Sequence, residues 1–120
     1  MIIAVSSEGK DLDSNVDPRF GRAKNFIIYD TVTNNFDVID NIQNLQAAQG
    51  AGIQAAQNVA EQNAELVISG NLGPKAFTTL QAAGIKVALW SKGTIKEAIE
   101  LAIGGKLEYS RSANVEGHWT

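Results

Sequence analysis

The residues best suited to chemistry in this sequence are two arginines three apart, in Asp17-Pro18-Arg19-Phe20-Gly21-Arg22. Pro18 fixes one φ angle and Gly21 permits a tight turn. A guanidinium presents planar donors that suit carboxylate or phosphate-like anions. Arg19 and Arg22 beside that turn can therefore clamp an anion. They can equally pair with Asp13 or Asp17 and hold the loop shut, and residue types alone leave both readings open. Two glycine-rich segments offer a second kind of anion contact. Gly50-x-Gly52-x-x-Ala55 matches the weak form of a dinucleotide fingerprint. That fingerprint should follow the first strand of a βαβ unit, with an acidic residue ending the next strand. Here Ser69-Gly70 follows the apolar run, so small residues packing a helix start closely on a sheet are the better reading. The helix N-terminus still offers free N–H groups to an anion. Gly70-Asn71-Leu72-Gly73-Pro74 joins an expected strand to an expected helix, the place where open sheets bind ligands. It reads as a backbone wall for an anion or as a well-capped turn. It has no Lys-Ser/Thr pair, so it is not a P-loop.

Other constellations are excluded by what they lack. Asp11-x-Asp13-x-Asn15-x-Asp17 opens like a calcium loop, but Val16 stands where glycine is needed and Arg22 where a bidentate carboxylate is needed. With no cysteine there is no disulfide, thiolate nucleophile, zinc ribbon or all-Cys iron–sulfur site. His118 is the only histidine. It is either an inert exposed side chain or one ligand completing the coordination of a preformed cluster. No Ser-His-Asp set or nucleophile elbow appears. Ten Lys and Arg against 13 Asp and Glu give a net charge of −3. That balance argues against nucleic-acid and anionic-membrane binding.

The elements that must position these residues alternate. In 120 residues, 44% hydrophobic and 19% charged, one globular domain is expected. Ile2–Val5 reads as a buried strand, and Ser6–Asn25 as a long polar loop. Residues 26–29 and 36–40 read as an antiparallel hairpin turning at Asn34-Asn35. Ile53, Ala56, Ala60 and Ala64 suggest a helical stripe. Leu66–Ile68 and Val87–Trp90 read as strands. Between them a helix begins at Pro74 and ends before Gly84. Thr94-x-x-Glu97 is a capping box opening a last helix that stops at Gly104. The domain is expected over residues 1–106, with 107–120 a polar, flexible tail. Helices between short apolar strands imply parallel neighbours, and the hairpin makes the sheet mixed. No leader or membrane span is apparent, so a cytoplasmic location is expected.

This pattern resembles the dinitrogenase iron–molybdenum cofactor biosynthesis family, of the NifX/NafY type and the C-terminal part of NifB. The resemblance rests on Ile3-Ala4-Val5 with its serine-rich loop, Leu12-Asp13-Ser14, and Val16 through Ala23. It extends to Gly50–Ile53, Ala64–Gly70, Gly73–Ala76 and Ala83–Val87, and is weakest in the tail. It implies a ribonuclease-H-like three-layer α/β/α sandwich with a five-stranded mixed sheet of order 3-2-1-4-5 and strand 2 antiparallel. It further implies a non-enzymatic carrier or accessory protein for iron–molybdenum cofactor or an iron–sulfur precursor cluster. Cofactor-assembly proteins are the implied partners. Such clusters are anionic, and the cluster-holding residues expected here are Arg19, Phe20, Gly21, Arg22, Gly50, Gly52, Gly70 and Gly73, with His118 as the metal ligand. The alternatives are a sensor for a small anionic ligand or nucleotide in the same cleft, and an interaction module acting through the tail.

Overall fold

A computed structural model describes residues 1–41 and 50–115. Its five strands are β1 (Ile2–Ser7), β2 (Asn25–Asp30), β3 (Phe36–Asp40), β4 (Leu66–Ser69) and β5 (Lys86–Leu89). Its helices are α1 (Ala51–Glu61), α2 (Pro74–Ala82) and α3 (Ile95–Ile103). The sheet order is β3-β2-β1-β4-β5. β2 is antiparallel to both of its neighbours, while β1, β4 and β5 run parallel. The expected topology is the observed one. Asn34 carries the left-handed backbone of the hairpin turn, with φ 62°.

Strand alternation sorts the core into two layers. Ala4, Phe26, Ile28, Val67 and Val87 face α1 and α2, meeting Ala55, Ala56, Val59, Ala76, Phe77 and Leu80. Ile3, Val5, Ile27, Leu66, Ile68 and Ala88 face α3, meeting Ile95, Ala98 and Ile99. The central strands β1 and β4 are buried on both faces, which is why they are apolar without alternation.

Three details differ from expectation. β1 continues through Ser6 and Ser7, whose hydroxyls find partners where an apolar side chain would only pack. The buried face of α1 is Ala51, Gly52, Ala55, Ala56 and Val59, with Ile53 and Ala60 only half-buried. Small side chains let this helix lie close to the sheet, so size rather than hydrophobicity marks its inner face. The left-handed stop after α3 is Gly105, with φ 68°, while Gly104 is still right-handed.

Residues 107–115, expected as a flexible tail, meet the body at defined points. Tyr109 forms an antiparallel bridge with Ala88, and Ser110 N–H donates to Val87 O at 2.6 Å. Farther on, Asn114 N–H donates to Leu72 O at 3.1 Å. His118 and the residues around it lie outside the described residues. Among the described residues, no helix is long and apolar enough to cross a membrane.

The capping box is formed: Thr94 Oγ1 accepts from Glu97 N–H at 3.2 Å, and Thr94 N–H donates to Glu97 Oε1 at 3.0 Å. Thr94→Ala is expected to cost about 1 kcal/mol of stability. A urea melt reads this directly, and an unchanged midpoint would remove the cap from the account of α3.

Candidate functional site

All three parallel strands end on one side of the sheet, and all three helices begin there. The site is built from what lies at that carboxyl edge. Ser6 Oγ donates to the Asp17 carbonyl at 2.7 Å and sits 2.8 Å from Ser69 Oγ at the end of β4. Asp17 N–H donates to Ser6 O at 2.8 Å, and Ser7 pairs with Val16. The chain thus folds back along β1 and delivers Asp17–Arg22 to the edge.

Asp17 is buried, and its Oδ1 accepts from the Arg19 backbone N–H at 2.9 Å. This closes a turn around Pro18. Burial pushes the Asp17 carboxyl above the ordinary aspartate value. The Arg19 N–H, the Arg19 charge and Lys24 pull the other way without prevailing, and Glu8 adds to the rise. Asp17 therefore holds Arg19 by its backbone. The Arg19 side chain is exposed, with no ion pair among the described residues. At Arg19 the loop is held by backbone contacts rather than by the Arg19 side chain pairing with Asp13 or Asp17.

The neighbouring residues divide by depth. Phe20 was expected among the cluster-holding residues, yet the structure gives it no accessible surface. Its ring packs on Phe26 at a centroid distance of 5.2 Å, and it anchors the loop in the core because an aromatic ring is costly to leave in water. Gly21 is buried too, and its carbonyl accepts from Asn41 Nδ2 at 3.2 Å. The same Nδ2 donates to Ala23 O at 2.8 Å, so one asparagine at the end of β3 clasps the turn that carries Arg22. Arg22 itself is half-buried.

Gly70 lies beneath this loop. A Cβ at Gly70 would stand 2.9 Å from Pro18 Cα and 2.5 Å from Ser91 Oγ, so only glycine lets the two segments approach. Arg19 bridges to Asn71, and Phe20 N–H donates to Asn71 O at 3.2 Å. Gly73 is the N-cap residue of α2 and Gly50, at φ 81°, that of α1; neither helix has a side-chain cap hydrogen bond. Gly52 is buried in the first turn of α1. A groove of about 340 Å³ lies between the two helix starts, lined by Ile53, Pro74, Lys75, Thr78 and Thr79. The structure thus brings the Arg19 loop against the Gly70–Asn71 turn directly, with Gly73 following in that turn as the N-cap of α2. Gly50 and Gly52 join them through the pairing of α1 with α2.

Sequence reasoning passed over the supports of this edge. Lys75 lines the groove, Asn41 clasps one loop, and Asn114 reaches the Gly70 turn. A lone asparagine or lysine carries no spacing signature, and only the fold shows what each touches. Among the described residues, no group of three His, Asp or Glu side chains could hold a metal ion. What this edge offers is hydrogen bonds and the cations Arg19, Arg22 and Lys75, with the acidic Glu8 and Asp17 nearby.

Comparison with known proteins gives consistent matches. A family model described as dinitrogenase iron-molybdenum cofactor matches residues 1–105. An uncharacterised protein of Methanocaldococcus jannaschii is 32% identical over 101 residues, covering 81% of this chain and 85% of that protein. The apo form of the orange protein from Desulfovibrio gigas is similar in structure, with a TM-score of 0.93 at 41% identity. That match covers 95% of this chain and 96% of the other. A candidate NifB protein from Thermotoga, solved by NMR, matches with a TM-score of 0.83 and 41% identity, covering 97% and 98% of the two chains.

Two predictions follow from the edge geometry. Gly70→Ala should cost about 1–3 kcal/mol, because Pro18 is backbone and cannot yield without moving the Arg19 loop. Gly50→Ala meets nothing within 4 Å and pays only for its left-handed backbone, about 1 kcal/mol. A Gly70→Ala loss near zero in denaturant melts would show that the close approach there carries no strain. The second prediction concerns Asp17. A folded-state pKa above the unfolded one means the native state binds the extra proton, so stability falls as pH rises through that window. Asp17→Asn keeps an acceptor for Arg19 N–H and removes the buried charge. The variant should melt above the wild type at neutral pH, with the gap closing toward about pH 4. A gap constant with pH would contradict the raised carboxyl.

Proposed function

We propose a carrier function from one premise: the chain belongs to the dinitrogenase iron–molybdenum cofactor family. The protein reversibly holds an anionic metal–sulfur cluster, iron–molybdenum cofactor or an iron–sulfur precursor, as cargo at the carboxyl edge of its sheet. It passes that cargo between cofactor-assembly proteins and performs no chemistry on it. One observation carries this reading. Arg19, whose side chain is exposed, has its backbone bridged to Asn71 in the turn that leads into α2, and the α1–α2 groove is lined by Lys75 and bounded by helix starts without side-chain caps. Helix N-termini and guanidinium groups both favour anions.

In this reading Arg19, Arg22 and Lys75 supply charge and donors, and the backbone at Gly50, Gly52, Gly70 and Gly73 approaches the cluster closely. Phe20 and Gly21 act from beneath, by fixing the loop. His118, outside the described residues, is the proposed single donor to metal. The chain contains no cysteine, so the cargo is not held by thiolates and can be released. The same donors suit a small anionic ligand or nucleotide, which makes that reading the first alternative.

The test is anaerobic transfer. The full chain is mixed with isolated iron–molybdenum cofactor and desalted, and iron and molybdenum are measured in the protein fraction. Stoichiometric metal is expected in the wild type. Arg19→Ala should lower affinity by up to about fivefold, the worth of an exposed ion pair. Retention should also weaken as salt is raised. Arg22→Ala, Lys75→Ala and His118→Ala map the remaining contacts. A wild type that retains no metal sinks the carrier reading, and a nucleotide or phosphate that raises the melting temperature would then favour the sensor.

A further inference from the structure

The turn between β4 and α2 is short of backbone partners from its own elements. Residue 114 supplies them. Leu72 N–H donates to Asn114 Oδ1 at 2.8 Å, and Leu72 O accepts from Asn114 N–H at 3.1 Å. Asn114 Nδ2 donates to Gly70 O and to Asn71 Oδ1, each at 3.1 Å. A carboxamide presents a donor and an acceptor side by side, and both are used here. Asn114 is itself exposed, so packing does not explain its place. The residue before it, Ala113, packs against the core layer under α1 and α2. With Tyr109 bridged to Ala88 and Ser110 donating to Val87 O, residues 109–114 form a strap from the outer edge of β5 to the Gly70 turn.

The turn is gripped from the other side by the arginine loop. Asn71 O accepts from Phe20 N–H, and Asn71 bridges to Arg19. The Gly70–Leu72 backbone thus lies between the C-terminal strap and the segment that carries Arg19. We infer that Asn114 is a positioning residue for this edge: by fixing Gly70–Leu72 it fixes Asn71 O, and through Asn71 O the Arg19–Phe20 backbone. The C-terminal segment thereby controls the anion-facing loop without touching it. The importance of this control rests on the proposed carrier site, but its test does not.

The test uses amide hydrogen exchange of the ligand-free full chain, read residue by residue by NMR. In Asn114→Ala the Leu72 amide loses its acceptor and should exchange about tenfold faster. The informative amide is that of Phe20, whose bond Asn114 does not make. It should accelerate by a similar factor while the β4 amides keep their rates. Asn114→Asp, which retains the acceptor for Leu72 N–H, should fall between wild type and Asn114→Ala. A Phe20 amide unchanged while Leu72 accelerates overturns the inference, since the effect then ends at the turn. Acceleration of the β4 amides together with Phe20 also overturns it, because the loss is then of global stability. Cofactor binding enters none of these readouts, so a failed transfer experiment and a failed exchange experiment remain distinct.

Discussion

Between β1 and β2 the chain makes a long polar excursion that has few apolar residues to hold it down. Phe20 does most of that work. A fully buried phenylalanine is worth about 3 kcal/mol of transfer free energy, and the ring also packs on Phe26. Val16 adds a second buried contact on the other layer. With one anchor on each face of the sheet, Asp17 and Pro18 between them have little freedom. Arg19 precedes Phe20, and its exposed side chain is displayed from a backbone held by the buried ring beside it.

The rest of the carboxyl edge is polar material that would be expensive if left unpaired. Ser6, Ser7, Asp17, Asn25, Asn41 and Ser69 are all buried. Each orphaned group would cost about 1–3 kcal/mol. Among the described residues no buried side-chain nitrogen or oxygen lacks a partner. These groups act on backbone more than on one another: Ser6 holds the Asp17 carbonyl, and Asn41 holds the carbonyls of Gly21 and Ala23. Apolar residues at these positions could pack, but they could not aim a loop. The exception to full compatibility is Asp17, whose raised pKa records a charge buried to make a turn.

How much of this was legible in the sequence depends on whether a local rule reports it. The hairpin at Asn34, proline at the start of α2, Gly84 past its end and the Thr94–Glu97 box all follow from backbone stereochemistry within a few residues. Alternation of elements gave parallel neighbours and a mixed sheet, while the strand order came from the family resemblance. The α1 face was misjudged because alanine and glycine bury against the sheet there while larger Ile53 stays half-exposed. Phe20 stands beside Arg19 in sequence, but it is fully buried against Phe26 while Arg19 is exposed, a difference that adjacency does not report. Asn41 and Asn114 act across 20 and 44 positions of sequence. No pattern of neighbours announces such contacts.

The magnitudes favour reversible holding over permanent binding. An exposed ion pair is worth about 0–1 kcal/mol, and a helix terminus contributes about 0.3–1 kcal/mol to a nearby charge. Micromolar affinity needs about 8 kcal/mol. Arg19 alone falls far short, so several donors must engage one anion together. Three cations and two helix termini together reach about 5 kcal/mol at most, so in the proposed site a further bond, such as one from His118 to metal, has to supply the rest and little can be spent on ordering the donors. In the proposed carrier site the supports described above would meet that requirement: Phe20, Asp17 and Asn41 hold the arginine loop, and Asn114 bonds the facing turn. Without thiolates, the proposed bond from His118 is the one metal–ligand bond left to slow release. A site assembled from modest contacts on a preordered backbone binds through their sum and lets go when one support moves. That makes the strap ending at Asn114, rather than any single charged side chain, the element through which retention of an anionic cargo would be adjusted.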